Sequence, residues 1–174
     1  MAIFENPNWP TQPQKGVYGW FAQKEGIEAI PIYIGMAGKQ KSFSPKGTLF
    51  RGISQLQRNT FSQKSPGCSC LDTDFIVGSA IIFLESKGYS CVWRHLSNEP
   101  GEELKLVNKW RPMLQDPRTA KLLDHLKAKK YEETYWDARK TPEGVKEAEL
   151  AIFSVLELQF ANISLNRTPL RSAG

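Results

Sequence analysis

The sequence predicts an α+β chain. An extended arm covers residues 1–15, a mixed unit of three strands and three helices covers 16–115, and a helical extension covers 116–174. Three observations lead there. Aromatic and β-branched residues concentrate in short runs near 16–23, 30–34 and 89–96, as strands require. Between and after these runs, apolar residues recur at offsets of three and four, the helical period. Beyond Gln115 the strand-like runs cease and two helix-start signals follow, Asp116–Pro117 and Thr141–Pro142–Glu143, each a capping residue before proline at the first helical position.

In chain order, Pro7, Pro10 and Pro13 keep the first fifteen residues extended. Gly16–Gln23 (GVYGWFAQ) reads as the first strand. Lys24–Ala29, centred on Gly26, is a hairpin turn, and Ile30–Ile34 returns as the second strand, with Pro31 acceptable near its start or at a sheet edge. Gly35, Gly38, Pro45 and Gly47 mark a connection that carries Lys39, Lys41 and Lys46. Thr48–Asn59 is a helix whose Leu49, Ile53 and Leu56 form one apolar stripe. Arg51, Gln55 and Arg58 repeat the spacing on another face, a polar and partly cationic stripe directed away from the core. After a loop over 62–71, Asp72 caps a second helix from Thr73 to Ser86, ended by Gly88. Tyr89–Leu96 is the third strand. Asn98–Gly101 then turns into a third helix with Glu102 and Glu103 in its first turn, closing before Pro112. In the extension, helix formers run from Pro117 to about Lys130. A last long helix spans roughly Glu143–Phe160, with Val145, Ala148, Ile152, Val155, Leu156 and Phe160 facing inward.

The bulk composition narrows the function classes. A chain of 174 residues with 40% hydrophobic and 24% charged residues is of ordinary globular composition. No basic-then-apolar leader is evident, and the longest apolar stretch, Phe75–Leu84, falls well short of the roughly 20 residues of a membrane span. A soluble, cytoplasmic protein with no membrane partner is expected. The formal charge of +5 favours a polyanionic partner without requiring one. Cys68, Cys70, Cys91 and His95 supply four soft donors. However, an offset of four along a strand separates Cys91 from His95 by about 13 Å, so reduced cysteines are expected rather than a zinc site.

The strand, strand, helix, helix, strand, helix order carries a more specific pattern. Gly16-Val17-Tyr18 lies on the first strand and Tyr33-Ile34-Gly35 on the second; Arg51 follows on the first helix, Lys87-Gly88-Tyr89 leads into the third strand, and Glu103 stands nine residues before Pro112 with Leu106 and Val107 between. Over about residues 15–115 this resembles the GIY-YIG nuclease superfamily, most closely its restriction-type members. The resemblance implies one three-stranded antiparallel sheet flanked by helices. It also implies a catalytic set of Tyr18, Tyr33, Arg51 and Glu103, with Glu103 as the metal ligand. The chain departs from the pattern at Val17, in the longer stretch from Tyr33 to Arg51, at Gln55 where many members have histidine, and at Gln115 where asparagine usually follows the proline.

The chemistry that such a set performs can be stated from the residue types. Phosphodiester hydrolysis needs a nucleophilic water, neutralisation of charge at phosphorus and help for the leaving oxygen. A carboxylate such as Glu103 can hold one Mg²⁺ or Mn²⁺, and an arginine fork matches the non-bridging oxygens. A tyrosine, ordinarily near pKa 10, serves as a base only where cations lower that value, and Lys39, Lys41 or Lys46 could contribute. Tyr18 is then the base and Tyr33 positions the water, with the reverse assignment open.

Simpler readings stand beside these. A strand aromatic is usually packing, a lone helical arginine is usually solvated, and glutamates in a first helical turn favour the helix dipole. The joint spacing sets those defaults aside for the four named residues but leaves the lysines, with Gln55 and Arg58, as possible supporting or DNA-contacting groups. Glu149 is a rival metal ligand on the last helix. His125, among Lys121, Lys127, Lys129 and Lys130, is a surface residue; that cluster, with Arg139, Lys140 and Lys146, either tracks a DNA backbone or is a solvated face balanced by Glu132 and Glu133. The expected function is a Mg-dependent endodeoxyribonuclease acting on double-stranded DNA, with a homodimer where both strands are cut. The alternatives are a non-catalytic nucleic-acid-binding module of the same fold, a homing- or repair-type nuclease, and an interaction protein.

Overall fold

Strand β2 (Gly16–Lys24) lies inside the sheet because its apolar residues run almost without interruption, buried on both faces, and both of its edges find partners. The computed structural model describes residues 3–5, 15–37, 48, 52–53, 55–56, 73–128 and 142–166. Within these, β1 (Ile3–Glu5), β2, β3 (Ile27–Ala37) and β4 (Ser90–Ser97) form one sheet in the order β1-β4-β2-β3. β2 runs antiparallel to both β3 and β4, which is the expected three-stranded antiparallel unit. The strands of the hairpin extend further than the sequence suggests, leaving a turn of only Glu25 and Gly26. Gly26 has φ +76°, a left-handed conformation that glycine adopts at little cost. Of the expected arm, Ile3–Glu5 are described as a strand, and they are paired: β1 adds a fourth strand, parallel to β4, with Ile3 opposite Val92 and Glu5 opposite Arg94. Sequence patterning misses a three-residue strand of this kind, because its partner lies almost ninety positions away.

Alternation sorts the sheet into two faces. Tyr18, Trp20 and Ala22 of β2 share a face with Cys91 and Trp93 of β4, and all five are buried. Helix α1 (Thr73–Ser86) packs there. Nearly every residue of α1 from Asp74 to Leu84 is buried, so it lacks a solvent stripe; the sheet covers one side and helix α4 (Pro142–Asn166) covers another. Ile152 and Leu156 of α4 and Leu123 of α3 (Pro117–Ala128) join the same core cluster as Tyr18, Trp20 and Phe75. Fully burying one such aliphatic or aromatic side chain contributes roughly 1.5–3 kcal/mol. The helical extension therefore shares its core with the mixed unit. Ala148, Val155 and Phe160 pack against this core as the periodicity predicts, and the helix runs on to Asn166, past the expected end at Phe160.

Helix α2 (Glu103–Trp110) lies against the opposite face, following a single 3-10 turn over Pro100–Glu102. Its Trp110 meets Phe21 edge-on at 5.4 Å, and the Arg94 guanidinium sits over the same ring at 5.4 Å. The helix ends where Arg111 turns left-handed (φ 47°) and donates its N–H to the Val107 carbonyl, and Pro112 forbids continuation. Among the described residues no helix is long and apolar enough to cross a membrane.

Candidate functional site

The two tyrosine-glycine triplets face each other across the β2–β3 ladder, with Tyr18 opposite Gly35 and Gly16 opposite Ala37. Their glycines have different physical reasons. At Gly35 a Cβ would lie 2.8 Å from the Tyr18 hydroxyl and 2.7 Å from the Tyr33 ring, so the missing side chain is what lets both phenols close over the strand. Gly16 adopts φ +147°, and a Cβ there would strike the Ser97 carbonyl oxygen, so β4 can approach this end only over glycine. The two rings stand 6.4 Å apart, centroid to centroid. Tyr18 is 1% exposed and stacks on Trp93 at 6.3 Å. Tyr33 is half-buried and lines a cleft of about 330 Å³ with Thr73, Ile76, Val77, Leu114, Gln115 and Leu123.

Gln55 organises the tyrosine end of the core. Thr48, Gly52, Ile53, Gln55 and Leu56 are helical, and Leu56 packs on the core as its spacing predicts. The expected solvent-facing stripe is corrected at Gln55, which is fully buried. Its Oε1 accepts from the Trp20 indole at 2.9 Å, and its Nε2 donates to the Tyr18 hydroxyl at 2.7 Å and, more weakly, toward Asp74 Oδ1 at 3.4 Å. Four polar groups are thereby satisfied in the buried core, where each unpaired one would cost about 1–3 kcal/mol. Seven residues before Gln55, a spacing that puts two helical residues on one side, Thr48 is also helical and fully buried, and its Oγ1 lies 3.0 Å from His95 Nδ1. His95 is the cross-strand partner of Tyr18, and its Nε2 lies 2.8 Å from Asn98 Oδ1.

Gln115 performs a separate task. β3 is an edge strand, and the Gln115 amide seals it: the Ile34 N–H donates to Oε1 at 2.9 Å and Nε2 donates to the Ile34 carbonyl at 2.8 Å. A side chain thus replaces the missing neighbour strand and holds the backbone between Tyr33 and Gly35.

The structure brings Tyr18, Tyr33 and Gln55 together directly. Glu103 is half-buried at the start of α2; the 3-10 turn before it packs on β2, and α2 packs on β3. The carboxylate thus belongs to elements that meet the same two strands, with α2 on the sheet face opposite the phenols. Arg51, Arg58, Lys39, Lys41 and Lys46 lie outside the described residues, as do Cys68 and Cys70. Glu149 is on α4, which packs on α1 and α3; burial raises its pKa above the usual carboxylate value, with Lys146 pulling the other way. His125 and Lys121 are exposed, as expected of a surface face. Cys91 is buried with its thiol directed to the Ile81 carbonyl, and burial, with the Glu85 carboxylate adding, pushes it up to about 12. Cys91 and His95 share no bonding partner in these contacts. Sequence reasoning passed over Thr48, Trp20, Asp74 and Asn98, and weighed His95 only as a zinc donor. The seven-residue spacing of Thr48 and Gln55 was the available signal, since it places two polar residues on one helical face.

Comparison of the chain with protein-family models, curated proteins and solved structures finds no match.

Proposed function

We propose that the chain is a divalent-metal-dependent DNA endonuclease of restriction type, hydrolysing phosphodiesters of double-stranded DNA. The observation that carries this reading is the pair of phenols closed over Gly35, one of them held by a buried amide. The amide satisfies the buried Tyr18 and Trp20 polar atoms, as burial requires, and in doing so fixes the Tyr18 oxygen in place. Such a network is costly to assemble, and it suits a site that must hold hydroxyl oxygens in fixed positions.

Within this reading the roles of the tyrosines differ from the first sequence assignment. The Tyr18 oxygen already accepts from Gln55 and is closed off from solvent, so Tyr18 touches no water and acts by packing beside Tyr33, 6.4 Å away ring to ring. Tyr33, half-buried at its cleft, would take the proton of the attacking water as the phenolate, its own proton having first passed to solvent under the influence of nearby cations. Arg51, four residues before Gln55 in the sequence, binds the non-bridging oxygens through its fork.

Glu103, on a helix that packs on the sheet face opposite the phenols, is the residue that would hold Mg²⁺ or Mn²⁺, and the reading requires its carboxylate to meet the phenols past the end of the sheet. Among the described residues no three His, Cys, Asp or Glu side chains gather, and a single carboxylate completed by water and phosphate oxygens suits a hard ion of this kind. When bound, the ion supplies Lewis-acid neutralisation of charge at the phosphate. Cutting both strands at one site calls for two copies of the centre, and hence a homodimer.

Mixed plasmid DNA incubated with Mg²⁺ or with EDTA tests the reading. The wild type should yield discrete fragments with the metal only. Glu103→Gln and Arg51→Ala should lower the rate at least about a hundredfold while retaining DNA binding, and Tyr33→Phe should cost more than Tyr18→Phe. DNA retained without any metal-triggered cutting would instead identify a binding module.

A further inference from the structure

The geometry points to His95 as a positioning residue of this centre, a strut that sets the Gln55 helical segment against the turn leading to Glu103. The inference builds on the nuclease reading above and assigns a role to a side chain that reading does not use.

The register places His95 opposite Tyr18, and its position two and four residues after Trp93 and Cys91 puts it on the same sheet face. One ring nitrogen meets Thr48, the other meets Asn98. Thr48 is fully buried and shares its helical face with Gln55, which holds the Tyr18 hydroxyl. Asn98 opens the turn that delivers Glu103. That turn is wired internally: the Glu99 N–H donates to Ser97 Oγ at 3.0 Å, and the Glu102 N–H donates to the Glu99 carbonyl at 3.0 Å. One imidazole therefore ties together the segment of Gln55, strand β4 and the segment of Glu103.

A flat ring with a polar atom on each of two edges can make both contacts at once. Phenylalanine fills the same space and makes neither. With Asn98 Oδ1 as acceptor, Nε2 carries the hydrogen and Nδ1 receives the Thr48 hydroxyl. The direction of each hydrogen bond is thereby set, and so is the ring's orientation. Losing the strut displaces groups of the centre and removes none of them, so the turnover step suffers while DNA affinity persists; misplacement by about 1 Å is enough to cost a hundredfold.

The test pairs kinetics with nitrogen spectroscopy on the full chain. His95→Phe should lower kcat about a hundredfold with KM for DNA within about twofold of wild type. Thr48→Val should lower it less and add nothing on top of His95→Phe, because the two share one interaction. A kcat within about twofold of wild type in a folded His95→Phe protein would overturn the role. Two histidines are present in the chain, so their ring nitrogens are readily told apart. At about pH 8.5, above the ordinary imidazole range, His95 should show a single tautomer protonated at Nε2, and Asn98→Ala should abolish that preference. A mixed tautomer in the wild type would overturn the strut itself. If the wild type cuts no DNA while the single tautomer is observed, the nuclease reading fails and the strut stands.

Discussion

One face of one sheet is covered in two different ways. Toward the Glu25–Gly26 turn the cover is apolar: Tyr89 meets Phe160 edge-on at 5.9 Å, Phe160 meets Phe83 at 5.9 Å, and Ile152 and Leu156 are fully buried nearby in the same cluster. Toward Gly16 the cover is polar: Gln55 and Thr48 reach Tyr18, Trp20 and His95 through hydrogen bonds. Apolar burial is non-directional and scales with area, so the first half holds the fold together without specifying where any single atom sits. Hydrogen bonds add little net stability but impose direction. The second half gives up part of the stabilisation that an apolar cover would supply, and in return it holds phenol and imidazole groups in set positions. A difference of that kind within one face separates the part of the molecule that stabilises from the part suited to chemistry.

The comparison can be broken, beginning with the largest effect. Leu156→Ala should lower unfolding free energy by about 2–5 kcal/mol in urea melts, through lost transfer energy and the cavity left behind. The cleavage rate of the protein that remains folded should not change. Gln55→Leu should cost about 2–3 kcal/mol by the same melts, since the Trp20 indole and the Tyr18 hydroxyl both lose a buried partner. It should also reduce cleavage more than tenfold, which the Leu156 variant does not. If both variants affected stability and cleavage in the same proportion, the two halves would not differ as described.

Smaller effects sharpen the picture. Gly35→Ala forces a methyl group against the Tyr18 hydroxyl and the Tyr33 ring, and should cost about 1–2 kcal/mol as overpacking does. Its cleavage loss should exceed that of a surface Gly101→Ala control, where a Cβ meets nothing within 4 Å. At Cys91 the folded thiol is raised by burial to about 12, so the unfolded chain releases this proton first as pH rises. Its contribution to stability is fully present below the ordinary thiol range and is lost between there and about 12, at up to about 1.4 kcal/mol per pH unit. Removing the thiol in Cys91→Ala should flatten that part of the alkaline stability curve. Peptide mapping after alkylation should also find Cys91 unmodified in the native wild type and modified once it is unfolded.

Much of the architecture was legible because it rests on local chemistry. The hairpin around Gly26, helix α1 from Thr73 to Ser86, helix α2 ended before Pro112 and the inward residues Ile152 and Leu156 all follow from period, caps and breakers acting within a few residues. The paired triplets were legible too, since both lie on one hairpin whose register is set by its turn. The direction of Gln55 was not. An amide beside two arginines in a helical stripe reads as solvent-facing, and only the arrival of Trp20 and Tyr18 from β2 and Asp74 from α1 makes burial tolerable. The same holds for His95, whose two contacts come from Thr48 and Asn98.

What the sequence by itself determined is therefore the set of elements and the face that each apolar residue presents, because those choices depend on backbone propensity and periodicity over short spans. Only the tertiary structure decided which polar side chains go inside, that Ile3–Glu5 becomes a strand, and that Gln115 seals the edge of β3. Each of these depends on a partner far away in the chain. A buried polar group is tolerated only when that partner is in place, and no local pattern can announce it.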